Sequence, residues 1–232
     1  MAMTDTRPTP NLARVAGALY LVIIVAGVWS EGFARASLVV PGDASATAAN
    51  IRAATGLFQA SFAADVLMTV SDAALAILLF LIFRPVSETL AFLAAAFRLI
   101  QTAILGANLM NQHEALLILD APTSAFAPGQ QDALALLSLQ AQSHGYDLGL
   151  VFFGINCLVT GVLIYRSGFL PRAIGLAIGA SGPVYLTGSV LTFLAPDASG
   201  AFAPAYALPL LAESAFCLWL LLRARNLGPR AA

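Results

Sequence analysis

Hydrophobic positions along this chain fall into six long blocks, separated by short polar stretches rich in proline, glycine and aspartate. The blocks are nearly free of charge, and a helix needs about 20 apolar residues to cross the roughly 30 Å hydrocarbon core of a bilayer. The pattern predicts transmembrane helices over about 14–34, 57–84, 89–113, 135–166, 171–195 and 205–223. The second block is about 28 residues, or roughly 42 Å, so that helix must tilt or protrude.

The separators carry their own signals. Pro41-Gly42-Asp43 reads as a turn, and Ser45 or Thr47 suits the cap of a short surface helix holding Asn50 and Arg52. Pro85-Val86-Ser87-Glu88 is a tight turn with Ser87 as N-cap. Residues 116–131 form a second loop, and Asp132 opens a fourth helix that projects before its membrane core begins near Tyr146. Gly168 suits a helix C-terminus and Pro171 the first turn of the next helix. Gly175 and Gly179 suggest close helix packing, Gly182-Pro183 a kink, and 195–204 a short loop. The fold class expected is all-α, a polytopic membrane protein with six transmembrane helices in one bundle. Residues 13–225 make that domain, and 1–12 and 226–232 are flexible tails. A secretory signal is the rival reading of the first block, because Ala34-Arg35-Ala36 resembles a cleavage site. The apolar run continues through Glu31 and Gly32 and five further blocks follow, which favours an uncleaved helix.

Composition agrees. The chain is 59% hydrophobic and 10% charged, with a mean hydropathy of +0.85, against about 25% charged residues in soluble domains. Its 232 residues leave no room for a sizeable soluble module. All 11 basic residues are arginine and none cluster, which argues against nucleic-acid binding. Cys157 and Cys217 lie inside apolar runs and read as reduced core residues.

Arginine placement sets the expected orientation. Six spans put both termini on one side with the second and fourth turns. That side holds Arg7, Arg14, Arg84, Arg166, Arg172, Arg223, Arg225 and Arg230, and the opposite loops hold Arg35 and Arg52. Eight against two predicts cytoplasmic termini and a multi-pass protein of the plasma membrane.

Charged side chains are costly at the bilayer centre, so those within the blocks should face the bundle interior with partners. Asp72 lies 12 residues before Arg84, Arg98 lies 10 after Glu88, and Glu213 lies 10 before Arg223. All three therefore sit about 15–18 Å above the inner turns, a candidate buried ion cluster. Its simplest role is to staple helices; its functional role would be an anchor or inner gate. A second group lies toward the outer surface. Arg98, Gln101, Asn108 and Gln112 form a polar stripe within about 80° on the third helix, and Asp65 shares the face of Asp72. His144 and Asp147, with Gln140, share one face of the fourth helix, and Glu31 reaches comparable height on the first. Glu31, Asp65, Asn108, Gln112, His144 and Asp147 are the candidate ligand-binding residues. His144 and Asp147 at i, i+3 could also hold one ion with Asp65 or Glu31. With only two histidines, a three-histidine zinc site is excluded. No nucleophile elbow, phosphate-binding glycine loop, CxxC or haem motif occurs, and no cofactor is implied.

The stretches His144-Gly145-Tyr146-Asp147-Leu148-Gly149, Phe152-Phe153-Gly154 and Tyr165-Arg166-Ser167-Gly168-Phe169-Leu170-Pro171-Arg172 resemble a bacterial membrane family known as domain of unknown function 4386. Gly42-Asp43-Ala44, Thr47-Ala48-Ala49-Asn50-Ile51, Arg84-Pro85-Val86 and Phe97-Arg98-Leu99-Ile100-Gln101 are similar to it as well. The resemblance runs from about Leu12 to Leu222. It implies six membrane helices and brings no catalytic residue. Where its members carry histidine or another polar residue after Phe-Phe-Gly, this chain has Ile155-Asn156.

Three functions stand side by side. The first is binding or passing a small polar ligand or ion through the outer polar zone, with Arg98, Asp72 and Glu213 as an inner gate. The second is a structural or accessory membrane protein; the third is a metal-assisted enzyme using His144 and Asp147. The sequence leans away from an enzyme. The partner it implies is the lipid bilayer, and nothing in it supports a homo-oligomer.

Overall fold

A computed structural model describes residues 9–223. Arg7, Arg225, Arg230, most of the first tail and all of the second lie outside the described residues. Among those described there is no strand, and six helical stretches are long and apolar enough to cross a membrane. The first is α1 (Pro10–Trp29), a π-helical segment (Ser30–Arg35) and α2 (Ala36–Leu38) in one continuous run. A short α3 (Ala44–Ala53) precedes α4 (Thr55–Phe83), α5 (Glu88–Asp120), α6 (Gln130–Ser167) and α7 (Arg172–Leu194). The last stretch joins α8 (Pro196–Phe202), a 3-10 turn and α9 (Ala207–Leu222).

Local chemistry fixes the ends of these helices. Thr9 caps α1 and Ser87 caps α5 through side-chain bonds to the third residue on. Asp43 caps α3 by accepting from the Ala46 amide at 2.9 Å, and that bond holds its carboxyl below the usual range. Gly168 ends α6 at φ +69°, where a side chain would be strained. The first helical run continues to Leu38 past the expected 34, α6 begins at Gln130 before the expected 135, and two further ends differ. Helix α5 continues to Asp120 instead of ending near His113, because Gln131 donates to the terminal carbonyls of Ile118, Leu119 and Ala121. Residues 196–202, expected as loop, form the helical turn of α8.

Packing follows a bilayer rule, with apolar surface outside and polarity inside. Large apolar side chains are exposed all round the bundle, among them Val70, Phe92, Leu176, Leu194 and Leu211. Arg35, Asp65, Asp72, Arg98, Gln101, Asn108, Gln112 and Glu213 are buried. The expected stripe on α5 therefore faces inward along its whole length. Helix α6 packs most extensively, against α5 and α7; α1 lies on α4 and α9, and α9 closes the bundle on α7. The main core joins Tyr20, Leu75, Phe83, Phe153, Leu163 and Phe216, and a smaller one seats α3 through Ile51 against Phe58, Leu116 and Leu139.

The α6–α7 contact is a backbone-to-backbone approach. A Cβ on Gly161 would lie 2.6 Å from Gly179 Cα and 2.7 Å from the Gly175 carbonyl, whereas a Cβ on Gly179 would meet nothing closer than 3.9 Å. Small residues let backbones approach closely, and the resulting van der Waals packing helps drive helix association in lipid. Gly161→Ala is expected to destabilise the protein by about 1–3 kcal/mol, and Gly179→Ala to be tolerated. The fraction remaining monodisperse in detergent after a heating series checks this; equal effects of the two substitutions would refute the contact.

Candidate functional site

Two polar centres lie inside the bundle, and each is built around an arginine. In the first, Arg98 on α5 faces Asp72 on α4. Its Nε and Nη2 donate to Asp72 Oδ1 at 2.9 and 2.5 Å, and Thr102 Oγ1 donates to Oδ2 at 2.5 Å. The guanidinium also lies 5.2 Å from the Tyr20 ring centroid and 5.1 Å from that of Phe153, within cation–π range. Glu213 on α9 accepts from the Tyr20 hydroxyl at 3.1 Å and the Tyr185 hydroxyl at 2.5 Å. The three charges expected at one depth thus share one assembly. Asp72 pairs with Arg98 directly, and Glu213 joins through Tyr20, whose ring touches Arg98 and whose hydroxyl touches the carboxylate.

The second centre is Arg35. The π-helical segment adds a residue to the turn, and such segments recur at functional sites. Here it lies where the first span turns Arg35 inward. Nη1 of Arg35 reaches Asp65, the Ser30 hydroxyl at 2.9 Å and Gln112 Oε1 at 3.3 Å. Its Nε donates to Glu31 at 2.9 Å, and Nη2 pairs with the same carboxylate. Gln112 then donates to Ser61 Oγ at 2.9 Å, and the Ser30 hydroxyl donates to the Ser61 carbonyl. Three of the six candidate ligand residues, Glu31, Asp65 and Gln112, are therefore gathered by one cation.

The other three go elsewhere. Asn108 Nδ2 donates to the Gln142 carbonyl at 2.6 Å, which ties α5 to α6. His144 is exposed, with Nδ1 2.8 Å from the Gln140 carbonyl and its ring 6.0 Å from that of Phe193. The Asp147 backbone carbonyl accepts from Ser189 on α7. Among the described residues, no three His, Cys, Asp or Glu side chains gather where a metal ion could sit.

Between the two centres lies a cavity of about 420 Å³. Asp72, Arg98, Gln101, Thr102 and Glu213 supply its polar end, and Ile23, Met68, Leu105 and Leu150 its apolar walls. Tyr146, Tyr185 and Tyr206 add ring surface. Val28, Glu31 and Leu210 also line it and are exposed, so the cavity opens between the end of α1 and the start of α9. Gln101 is 6% exposed, and its Oε1 is buried with no hydrogen-bond partner among the described residues.

The sequence reading missed Arg35, Tyr20 and Tyr185. Arg35 follows directly on an apolar run and counts there as a loop charge. The signals were its i, i+4 spacing from Glu31 and the need of Asp65 for a cation. A tyrosine far inside an apolar block likewise signals a buried partner for its hydroxyl.

Six apolar helices enclosing paired charge define a multi-pass integral membrane protein. The chain belongs to the family described as domain of unknown function DUF4386, which it matches over residues 15–224. It is similar to an uncharacterized protein of Archaeoglobus fulgidus, 27% identical over 162 residues that make up 70% of this chain and 82% of that protein. No solved structure matches the chain.

Removing one partner of a buried ion pair strands the other, at about 3–5 kcal/mol, whereas replacing both with apolar residues is often neutral. Arg35→Met is expected to lower heat resistance in detergent sharply, and Arg35→Met with Asp65→Leu to recover most of the loss. A single substitution that is harmless, or a double one that is no better, would contradict the Arg35–Asp65 pairing.

Proposed function

We propose that this membrane protein binds a small ligand in the cavity between its two arginine centres. The ligand reaches the cavity from the half of the bundle that faces outward. In this reading both termini are cytoplasmic and the membrane is the plasma membrane. The arginine bias supports that orientation: Arg14, Arg84, Arg166, Arg172 and Arg223 all fall at one end of an alternating six-helix arrangement.

The observation that carries the proposal is Gln101. A buried polar atom without a partner costs about 1–3 kcal/mol. A side-chain amide left unbonded beside a cavity suits a polar group supplied from outside. The volume lies within the roughly 300–1,000 Å³ typical of small-molecule sites. Among the candidate ligand residues, Glu31 stands on the cavity rim, while Asp65, Asn108 and Gln112 brace the helices that form its wall. Asp72, Arg98 and Glu213 close its inner end and take the role of anchor.

A structural role is the second reading, and the saturated bonding around Arg35 favours it for that centre alone. Labelling of single cysteines separates the two. In a Cys157→Ala, Cys217→Ala background, Gln101→Cys is expected to react with aminoethyl methanethiosulfonate in intact cells. Asn108→Cys, on a face locked against α6, is expected to stay unreactive. Protection of both positions would mean a closed core and would overturn the cavity reading.

A further inference from the structure

Resting on the cavity reading, we infer that the ligand is an amphiphilic amine, a protonated amino group carried on an apolar body. The first observation is charge. Three carboxylates, Glu31, Asp72 and Glu213, line the cavity; Arg35 pairs with Glu31 and Arg98 with Asp72, which leaves Glu213 without a cation among the described residues. Arg98 is already committed: two of its nitrogens donate to Asp72, and its plane lies against Tyr20 and Phe153. An anionic ligand would therefore meet neutralised Arg98 and unneutralised carboxylate in a water-poor site, an arrangement that rejects it.

The second observation is the bonding capacity left at Glu213. Glu213 accepts one tyrosine hydroxyl at each oxygen, and a carboxylate has about four lone-pair sites in all. Glu213 therefore still offers acceptance, and a group that meets it must donate. An ammonium group donates up to three bonds and supplies the missing positive charge. The aromatic side chains of Tyr146, Tyr185 and Tyr206 line the same space and suit a cation. A bare metal ion does not meet these terms, because the carboxylates do not converge: Asp72 is held by Arg98, Glu213 by two tyrosines and Glu31 by Arg35.

The third observation is the wall. Ile23, Met68, Leu105 and Leu150 separate the polar end from the rim, where Val28 is 55% and Leu210 49% exposed. Apolar rim residues at the end of α1 and the start of α9 suit a molecule arriving with its apolar part in the bilayer. A small hydrophilic amine would gain nothing from that wall.

Three probes of one skeleton test the inference: 4-phenylbutylamine, 4-phenylbutanol and 4-phenylbutanoate. Each is titrated calorimetrically into the protein in lipid nanodiscs, with empty nanodiscs to subtract partitioning. The amine is expected to bind at least tenfold tighter than the carboxylate and tighter than the alcohol. Glu213→Gln is expected to weaken the amine about tenfold. Should Glu213→Gln fail to elute as a monodisperse species, the three-probe comparison on the native chain decides alone. Carboxylate or alcohol binding as tight as amine binding overturns the inference, as does amine binding unchanged in the variant. Absence of binding by all three probes overturns it too. Reactive Gln101→Cys in any of those cases leaves the cavity reading standing, and its protection removes both.

Discussion

A charge at the depth of a bilayer core must find its partner inside the protein, and that constraint organises this fold. Arg98 and Asp72 sit on neighbouring helices joined by a turn of four residues, so their pairing sets the rotation of α4 against α5. Tyr20 and Phe153 bring α1 and α6 to the same guanidinium, and Tyr20 passes the connection to Glu213 on α9. Five of the six spans are thus registered on one cation; α7 enters through the Tyr185 hydroxyl. In water such a network would compete with solvent. In lipid the alternative is an unpaired charge, which costs several kcal/mol.

Arg35 applies the same rule nearer the membrane surface with a different outcome. Its donors reach Glu31, Asp65, Ser30 and Gln112; Ser30 and Gln112 bond onward to Ser61, whose hydroxyl donates to the Phe58 carbonyl. Among the described residues no buried side-chain polar atom there lacks a partner, as expected of a staple. The Arg98 centre pairs Asp72 but, among the described residues, leaves Glu213 without a cation and Gln101 unpartnered beside an open volume. The contrast between a closed network and an unfinished one separates the part that holds helices from the part suited to hold something else.

Much of this was readable from the residues. The six spans follow from apolar length alone, and counting residues from the inner turns placed Asp72, Arg98 and Glu213 at one depth. Helix periodicity put Gln101, Asn108 and Gln112 on the inward face of α5. What escaped depends on contacts distant in sequence. The extension of α5 rests on Gln131 reaching back to carbonyls around residue 119, and no local signal marks it. Arg35 lies just past an apolar run, where an arginine ordinarily anchors at the interface; a π-helical segment turns it inward instead. A single outer zone of six residues was expected, and neighbouring helices divide it. His144 and Asp147 bond along α6 and to α7, whereas Glu31, Asp65 and Gln112 converge on Arg35. An empty volume and an unpaired oxygen are properties of the packed bundle, which no one-dimensional pattern carries.

The central claim is that the interior beside Arg98 is a ligand site. An experimental density map of the protein purified in native lipid tests it most directly. The account predicts non-protein density in the cavity, with a polar atom within hydrogen-bond distance of the Gln101 amide or the Glu213 carboxylate and apolar density running past Leu105 toward Val28 and Leu210. A collapsed cavity, with Gln101 Oε1 bonded to another side chain of this protein, would contradict it.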